Sequence, residues 1–102
     1  MKAQIKINYS EAIKGQIFEI VEIQGKRVTL NINGRNVDFG FSEVQIVAPH
    51  KSDLFNLGRC LMNLQTLGFC MRNEDIKKAI KKINLPIKKS LANKAFYEFI
   101  YS

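Results

Sequence analysis

The sequence contains few of the residue types from which metal sites and nucleophilic active sites are built. Its 102 residues include no tryptophan, one histidine, two cysteines and two prolines. Cys60 and Cys70 form no Cys-x-x-Cys pair, so a four-ligand zinc site would need carboxylates or a second chain. We therefore predict two free thiols in a reducing compartment, with no metal and no cofactor.

Long hydrophobic runs are also missing. No apolar run approaches the ~20 residues that cross a bilayer. The first six residues alternate polar and apolar side chains, and they lack the apolar block of a signal peptide. We therefore expect a cytoplasmic protein that does not associate with a membrane.

Catalytic constellations are equally sparse. His50 stands beside Pro49, and the spacing suggests no cysteine or serine partner for it. Glu19, Glu22 and Asp38 fall on strand faces, where solvation explains them better than acid–base catalysis by paired carboxylates. The sequence also has no glycine-rich phosphate loop. We predict that the protein is not an enzyme.

The clearest structural signal is a β-hairpin around Asn33-Gly34. Two alternating apolar runs flank this dipeptide, and a type I′ turn needs positive φ at both central residues, which Asn and Gly tolerate. Placing the dipeptide in the turn makes Leu30 oppose Val37 and places Val28 opposite Phe39. A one-residue slip would destroy this apolar match, so the register is predicted as well.

Three further strands complete the β half. Residues 2–9 alternate polar and apolar side chains, which is typical of a strand with one wet face. Residues 16–23 change parity near Ile20 and Val21, and an extra residue there predicts a β-bulge. Residues 42–44 suit one tight turn and residues 45–47 a short last strand.

The stretch that runs from residues 14–21 through residues 39–47 resembles small SH3-like barrel proteins of phages and mobile elements. The resemblance covers less than half of the chain. It implies a five-stranded SH3-like β-barrel over residues 1–48, but it implies no particular ligand because this fold hosts peptide binders, nucleic-acid binders and scaffolds. A groove for proline motifs is not expected, since the chain has no tryptophan and no cluster of exposed tyrosines.

The second half predicts helices. Pro49 ends the strand pattern, and Ser52 is the predicted N-cap of a first helix over residues 53–67. A second helix follows Asn73 and ends before Pro86, and a third covers residues 87–101. The predicted fold class is therefore α+β, with a five-stranded SH3-like barrel (1–48) followed by a basic domain of three helices (49–102).

The charge is concentrated in the helical half. Residues 1–48 contain six Lys/Arg and five Asp/Glu, whereas residues 49–102 contain ten and four, so the formal charges are +1 and +6. A positive field of this kind favours an anionic partner, such as nucleic acid, an acidic protein face or a membrane surface, without choosing among them.

The strongest candidate site is the basic cluster of the second and third predicted helices. A row of lysines can contact successive phosphates and release counterions. Lysine outnumbers arginine here, which favours contacts with the nucleic-acid backbone over reading of bases. Solvation of an amphipathic helix would also explain these residues, and so would an acidic protein partner. The predicted phosphate contacts are Arg72, Lys77, Lys78, Lys81, Lys82, Lys88, Lys89 and Lys94.

Apolar side chains outside the main helical stripes suggest a second function. They lie beyond the faces that would pack into a helical core, so they are available for contact with another chain. This favours a protein-interaction module, such as a phage-type accessory protein or an inhibitor of a host protein. The predicted partner contacts are Phe55, Met62, Tyr97, Ile100 and Tyr101.

Overall fold

A computed structural model describes residues 1–10, 12–65, 78, 81 and 84–101. The chain divides into two compact units, which are described separately below. The β unit is Met1–Val47 and the helical unit is Ala48–Ser102.

The β unit contains one antiparallel sheet of five strands. In spatial order the strands are β4-β3-β2-β1-β5. Strand β4 leads into β5 through a single 3-10 turn, Phe41–Glu43. In chain order the strands are β1 Lys2–Ile5, β2 Ile17–Gln24, β3 Arg27–Ile32, β4 Arg35–Gly40 and β5 Val44–Val47.

The predicted hairpin is confirmed in its turn and in its register. Asn33 and Gly34 have φ values of 52° and 88°, as a type I′ turn requires. Leu30 pairs with Val37, and Val28 pairs with Phe39. Val28, Leu30 and Phe39 are buried in the core of the unit, so the apolar face of the hairpin has the predicted orientation.

The predicted bulge in β2 is also confirmed. Ile20 pairs with Leu30 and Glu22 with Thr29, which leaves Val21 as the extra residue. Strand β2 also changes partner along its length. Its first three residues, from Ile17, pair with β1, and the residues from Ile20 onward pair with β3.

The α+β class and the five strands are confirmed, but the closed barrel is wrong. Strands β4 and β5 form the two edges of an open sheet instead of pairing with each other. The Gly40 N–H, at the end of β4, donates to the Glu43 side chain (Oε1) at 2.8 Å and so not to a backbone carbonyl of β5. Apolar alternation identified the buried face correctly, but it carries no information on whether the two edges meet.

The first strand is shorter than predicted. It ends at Ile5, and the following loop is held by local hydrogen bonds rather than by a ladder. The backbone N–H of Lys14 donates to Asn8 Oδ1 at 3.1 Å, and the side-chain amide of Gln4 (Nε2) donates to the carbonyl of Gly15 at 2.9 Å. Tyr9 forms only an isolated bridge with Ala12.

Among the described residues of the helical unit, two helices pack against each other. They are α1, Lys51–Gln65, and α2, Lys89–Tyr101. Leu57 and Leu61 of α1 are buried, as are Ala92, Ala95 and Phe96 of α2.

Three helices were predicted, and among the described residues there are two, so the prediction is wrong for this part of the chain. The predicted second helix falls outside the described residues, except for Lys78 and Lys81, whose backbones are helical.

The predicted N-cap of the first helix is also wrong. The Leu54 N–H donates to the carbonyl of His50 at 3.1 Å, so His50 occupies the N-cap position and α1 begins at Lys51. The Asp53 carboxylate accepts the His50 N–H at 3.2 Å, which is one half of a capping box. Ser52 therefore lies inside the first turn.

Candidate functional site

The described residues of the predicted basic site are all exposed to solvent. Lys78 and Lys81 are exposed and helical, and they are three residues apart, which places them on one helical face. Lys88, Lys89 and Lys94 are exposed at the start and in the middle of α2. The other three predicted contacts, Arg72, Lys77 and Lys82, lie outside the described residues.

The packing of α2 explains why its lysines point outward. Ala92, Ala95 and Phe96 turn their side chains into the unit, and Lys89 and Lys94 occupy other angular positions on the same helix. The apolar stripe thus fixes the orientation of the basic residues. Their exposure is a consequence of the helical period.

Positive charge is concentrated at the N-terminal end of α2. The Ala92 N–H donates to the Lys88 carbonyl at 3.0 Å, so Lys88 occupies the N-cap position and Lys89 is the first helical residue. A lysine side chain has no oxygen with which to cap the free amides of the first turn. The helix dipole is also positive at this end, so the two ammonium groups and the dipole add rather than cancel.

In the described part of the helical unit, the ion pair that is found involves Lys51 and none of the lysines of the predicted basic site. Lys51 Nζ lies 3.9 Å from Glu98 Oε1, with Lys51 highly exposed and Glu98 mostly covered. By contrast, five lysines form no ion pair with any carboxylate in the described part of the chain: Lys78, Lys81, Lys88, Lys89 and Lys94.

A depression of about 350 Å³ lies where the start of α1 meets α2. Its polar lining consists of His50, Lys51, Lys94 and Glu98, and Pro49, Leu54 and Leu91 contribute apolar surface. Since Lys51 is paired with Glu98, Lys94 is the lining cation without an ion pair among the described residues. The start of α1 and Lys94 of α2 therefore line the same depression.

Each aromatic residue predicted as a partner contact lies against another aromatic ring of the helical unit. Phe55 of α1 lies against Phe99 of α2, with ring centroids 5.4 Å apart. Part of the Phe55 ring surface is therefore covered within the helical unit. Tyr97 and Tyr101 are nearly parallel at 5.5 Å and 23°. Met62 and Ile100 are half-buried, and Tyr101 is 67% exposed.

The sequence-based prediction did not assign several exposed residues to a site. Lys51 and Arg59 are basic and exposed on α1 but were not assigned to the site. On the β unit, Ile13 is 71% exposed and Val21 is 49% exposed. The bulge predicted at Val21 was a usable signal, because a bulged residue leaves the alternation that buries its neighbours.

The described part of the chain offers neither a metal-binding cluster nor a membrane-spanning helix. No group of three or more His, Cys, Asp or Glu side chains that could hold a metal ion is found there. No helix in that part of the chain is both long enough and apolar enough to cross a membrane. Cys60 is a half-buried free thiol, and Cys70 lies outside the described residues.

No protein-family model matches this chain, and no curated protein and no solved structure matches it either. The resemblance to phage-encoded SH3-like proteins therefore stays a sequence-based expectation about family.

Proposed function

We propose that the protein is a small non-enzymatic nucleic-acid-binding module that contacts phosphates through the lysines of its helical unit. The observation that supports this proposal best is that five lysines are exposed there without an ion pair to a described carboxylate. They are Lys78, Lys81, Lys88, Lys89 and Lys94.

Phosphate is the anion that these side chains suit. Each lysine that neutralises a phosphate releases condensed counterions, and a polymer of phosphates allows several lysines to act at once. The N-terminal end of α2 adds oriented amides and a positive dipole beside Lys88 and Lys89. Lysines supply affinity and little base discrimination, so we expect weak dependence on base sequence.

Solvation of the helices is the competing explanation, and the β unit provides a control for it. Lys6, Lys14 and Lys26 are exposed there, equal in number to Lys88, Lys89 and Lys94 of the helical unit. Changing either set to glutamine lowers the formal charge from +7 to +4. Because the two triple variants have the same formal charge, their affinities for nucleic acid should differ only if binding is localised on one unit.

The experiment is fluorescence anisotropy with labelled duplex and single-stranded probes at about 50 and 200 mM salt, a range over which phosphate-dependent affinity falls steeply. We expect the wild type to bind at the lower salt concentration. The Lys88→Gln/Lys89→Gln/Lys94→Gln variant should lose at least about tenfold in affinity, and the Lys6→Gln/Lys14→Gln/Lys26→Gln variant should lose much less.

Two results would contradict the proposal. One is the absence of binding to any probe at the lower salt concentration. The other is an equal loss in both triple variants, which would show that binding is not localised on the helical unit. Circular dichroism of each variant establishes that the helices and the sheet are intact.

A protein-interaction module is the second candidate function, and it is favoured by exposed apolar side chains. None of the five predicted partner residues is fully buried, and Ile13, Ile17 and Val21 are exposed on the β unit. The test is capture from a nuclease-treated cell lysate by the wild type and by an Ile13→Ser/Val21→Ser variant. If the wild type and the variant captured the same partner equally, Ile13 and Val21 would not belong to the surface that binds it.

A further inference from the structure

Helix α2 carries a pair of aromatic rings beside the basic face. Lys94, Tyr97 and Tyr101 follow one another at spacings of three and four residues, which places them along one side of the helix. The two tyrosine rings lie 5.5 Å apart and are inclined by 23°. Tyr97 is half-buried, whereas Tyr101 is 67% exposed.

In this pair one tyrosine ring is half-buried and the other is exposed. Tyr97 supports one face of the Tyr101 ring, and the exposure of Tyr101 leaves the opposite face to solvent. A planar group that stacks on that face extends the stack without first having to order the ring. Nucleic-acid bases are planar groups of this kind, and base–aromatic stacking tolerates any base because every base has a π face.

We propose that the helical unit prefers single-stranded nucleic acid, with an unpaired base stacked on Tyr101 and a phosphate beside Lys94. This proposal rests on the phosphate-binding function proposed above. Lys94 and Tyr101 are separated by about 10 Å along the helix axis, so a strand that follows α2 places its base and a nearby phosphate on different side chains.

The charges along α2 agree with this orientation of the strand. The carboxyl-terminal end of a helix is negative, so a phosphate is disfavoured at Tyr101 and favoured toward Lys94 and Lys89. Glu98, the acidic residue nearest to Tyr101 in sequence, is paired with Lys51 at 3.9 Å. A duplex cannot use this site fully, since its bases are already stacked on one another.

The test compares three labelled probes of equal length by fluorescence anisotropy: a single-stranded oligothymidylate, an abasic strand of the same charge, and a duplex. The proteins are the full-length wild type, Tyr101→Leu and Tyr101→Phe. Leucine keeps an apolar side chain but removes the ring, and phenylalanine keeps the ring.

We expect Tyr101→Leu to weaken binding of the oligothymidylate by about 5- to 150-fold, the range that the loss of one stacked base produces. The same variant should change the affinity for the abasic strand and the duplex by less than about twofold, since neither presents a free base. Tyr101→Phe should bind the oligothymidylate nearly as well as the wild type.

The outcomes separate this inference from the proposed function. If the wild type binds the base-bearing and abasic strands equally, or if Tyr101→Leu weakens all three probes alike, base stacking is excluded while phosphate binding stands. If no probe binds at low salt, the proposed function fails and the stacking inference fails with it. Because Tyr101 is exposed, circular dichroism should show the same helical content in all three proteins.

Discussion

Gly58 on α1 lies directly against the backbone of Ala95 on α2. A Cβ atom placed on Gly58 would meet the Ala95 carbonyl oxygen and would lie 2.8 Å from the Cβ of Phe99. Real Cβ atoms do not approach other atoms so closely, and a backbone carbonyl cannot turn aside as a flexible side chain can. The two helices therefore depend on a glycine at this crossing for their close approach.

Gly58→Ala should accordingly destabilise the helical unit. Overpacking of this kind costs about 1–3 kcal/mol, and the higher helix propensity of alanine offsets up to about 1 kcal/mol. Chemical denaturation followed by the helical circular-dichroism signal measures the net loss. Asn63→Ala is the control because Asn63 is exposed on the same helix, and a gain in stability for both variants would show that the crossing tolerates a methyl group.

Asp53→Ala should destabilise α1, and Ser52→Ala should not. The Asp53 carboxylate accepts the His50 N–H at 3.2 Å and lies at the positive end of the helix, so its removal should cost about 0.5–2 kcal/mol. Ser52 is exposed inside the first turn, and its replacement should change stability by less than about 0.5 kcal/mol. Denaturation midpoints of the two variants check this assignment. A larger loss of stability for Ser52→Ala than for Asp53→Ala would show that Ser52 is the capping residue.

Gly34→Ala should destabilise the β unit through backbone strain alone. Gly34 has a φ of 88°, and a Cβ there would meet nothing within 4 Å, so the cost is conformational rather than steric contact with neighbours. A left-handed conformation costs an L-residue about 1–2 kcal/mol. Hydrogen exchange of the Leu30 amide measures the loss. Asn36→Ala, an exposed change on the same hairpin, should leave exchange nearly unchanged.

The parts of the fold that sequence predicts well are those that depend on neighbouring residues. The Asn33-Gly34 turn fixes two φ angles and thereby the pairing of Leu30 with Val37. The parity change at Val21 is likewise local, and it located the bulge. Each signal involves residues that lie within a few positions of one another in the chain.

The features that sequence did not predict depend on residues far apart or on competition between caps. Whether β4 meets β5 depends on how the whole sheet curves, and alternation describes only one strand at a time. Ser52 and Asp53 are both good capping residues. The helix begins instead with His50 at the N-cap and with the Asp53 carboxylate on the His50 N–H, a start that local propensity does not specify.

The candidate site divides in the same way. Helical periodicity puts polar residues opposite an apolar stripe, and Lys78, Lys81 and Lys94 are all exposed. The ion pair between Lys51 and Glu98 joins two separate helices, and no spacing rule reveals it. The stacking of Tyr97 on Tyr101 could have been predicted from the sequence, because residues four apart on a helix are neighbours.

The salt dependence of binding should report how many phosphates the helical unit neutralises. The logarithm of the binding constant falls with the logarithm of salt concentration by about 0.9 per phosphate on a duplex and about 0.7 on a single strand. Removing Lys88, Lys89 and Lys94 should therefore reduce the magnitude of the slope by about 2–3, if each lysine contacts one phosphate.

The control for this slope is the β-unit variant that replaces Lys6, Lys14 and Lys26, and we expect its slope to change by less than about 1. Titrations at four or more salt concentrations give both slopes from the same anisotropy measurement. A large change in the helical variant alone would locate the counterion release on α2. Equal changes would mean that phosphates contact both units, because counterions are released only where lysines approach the nucleic acid.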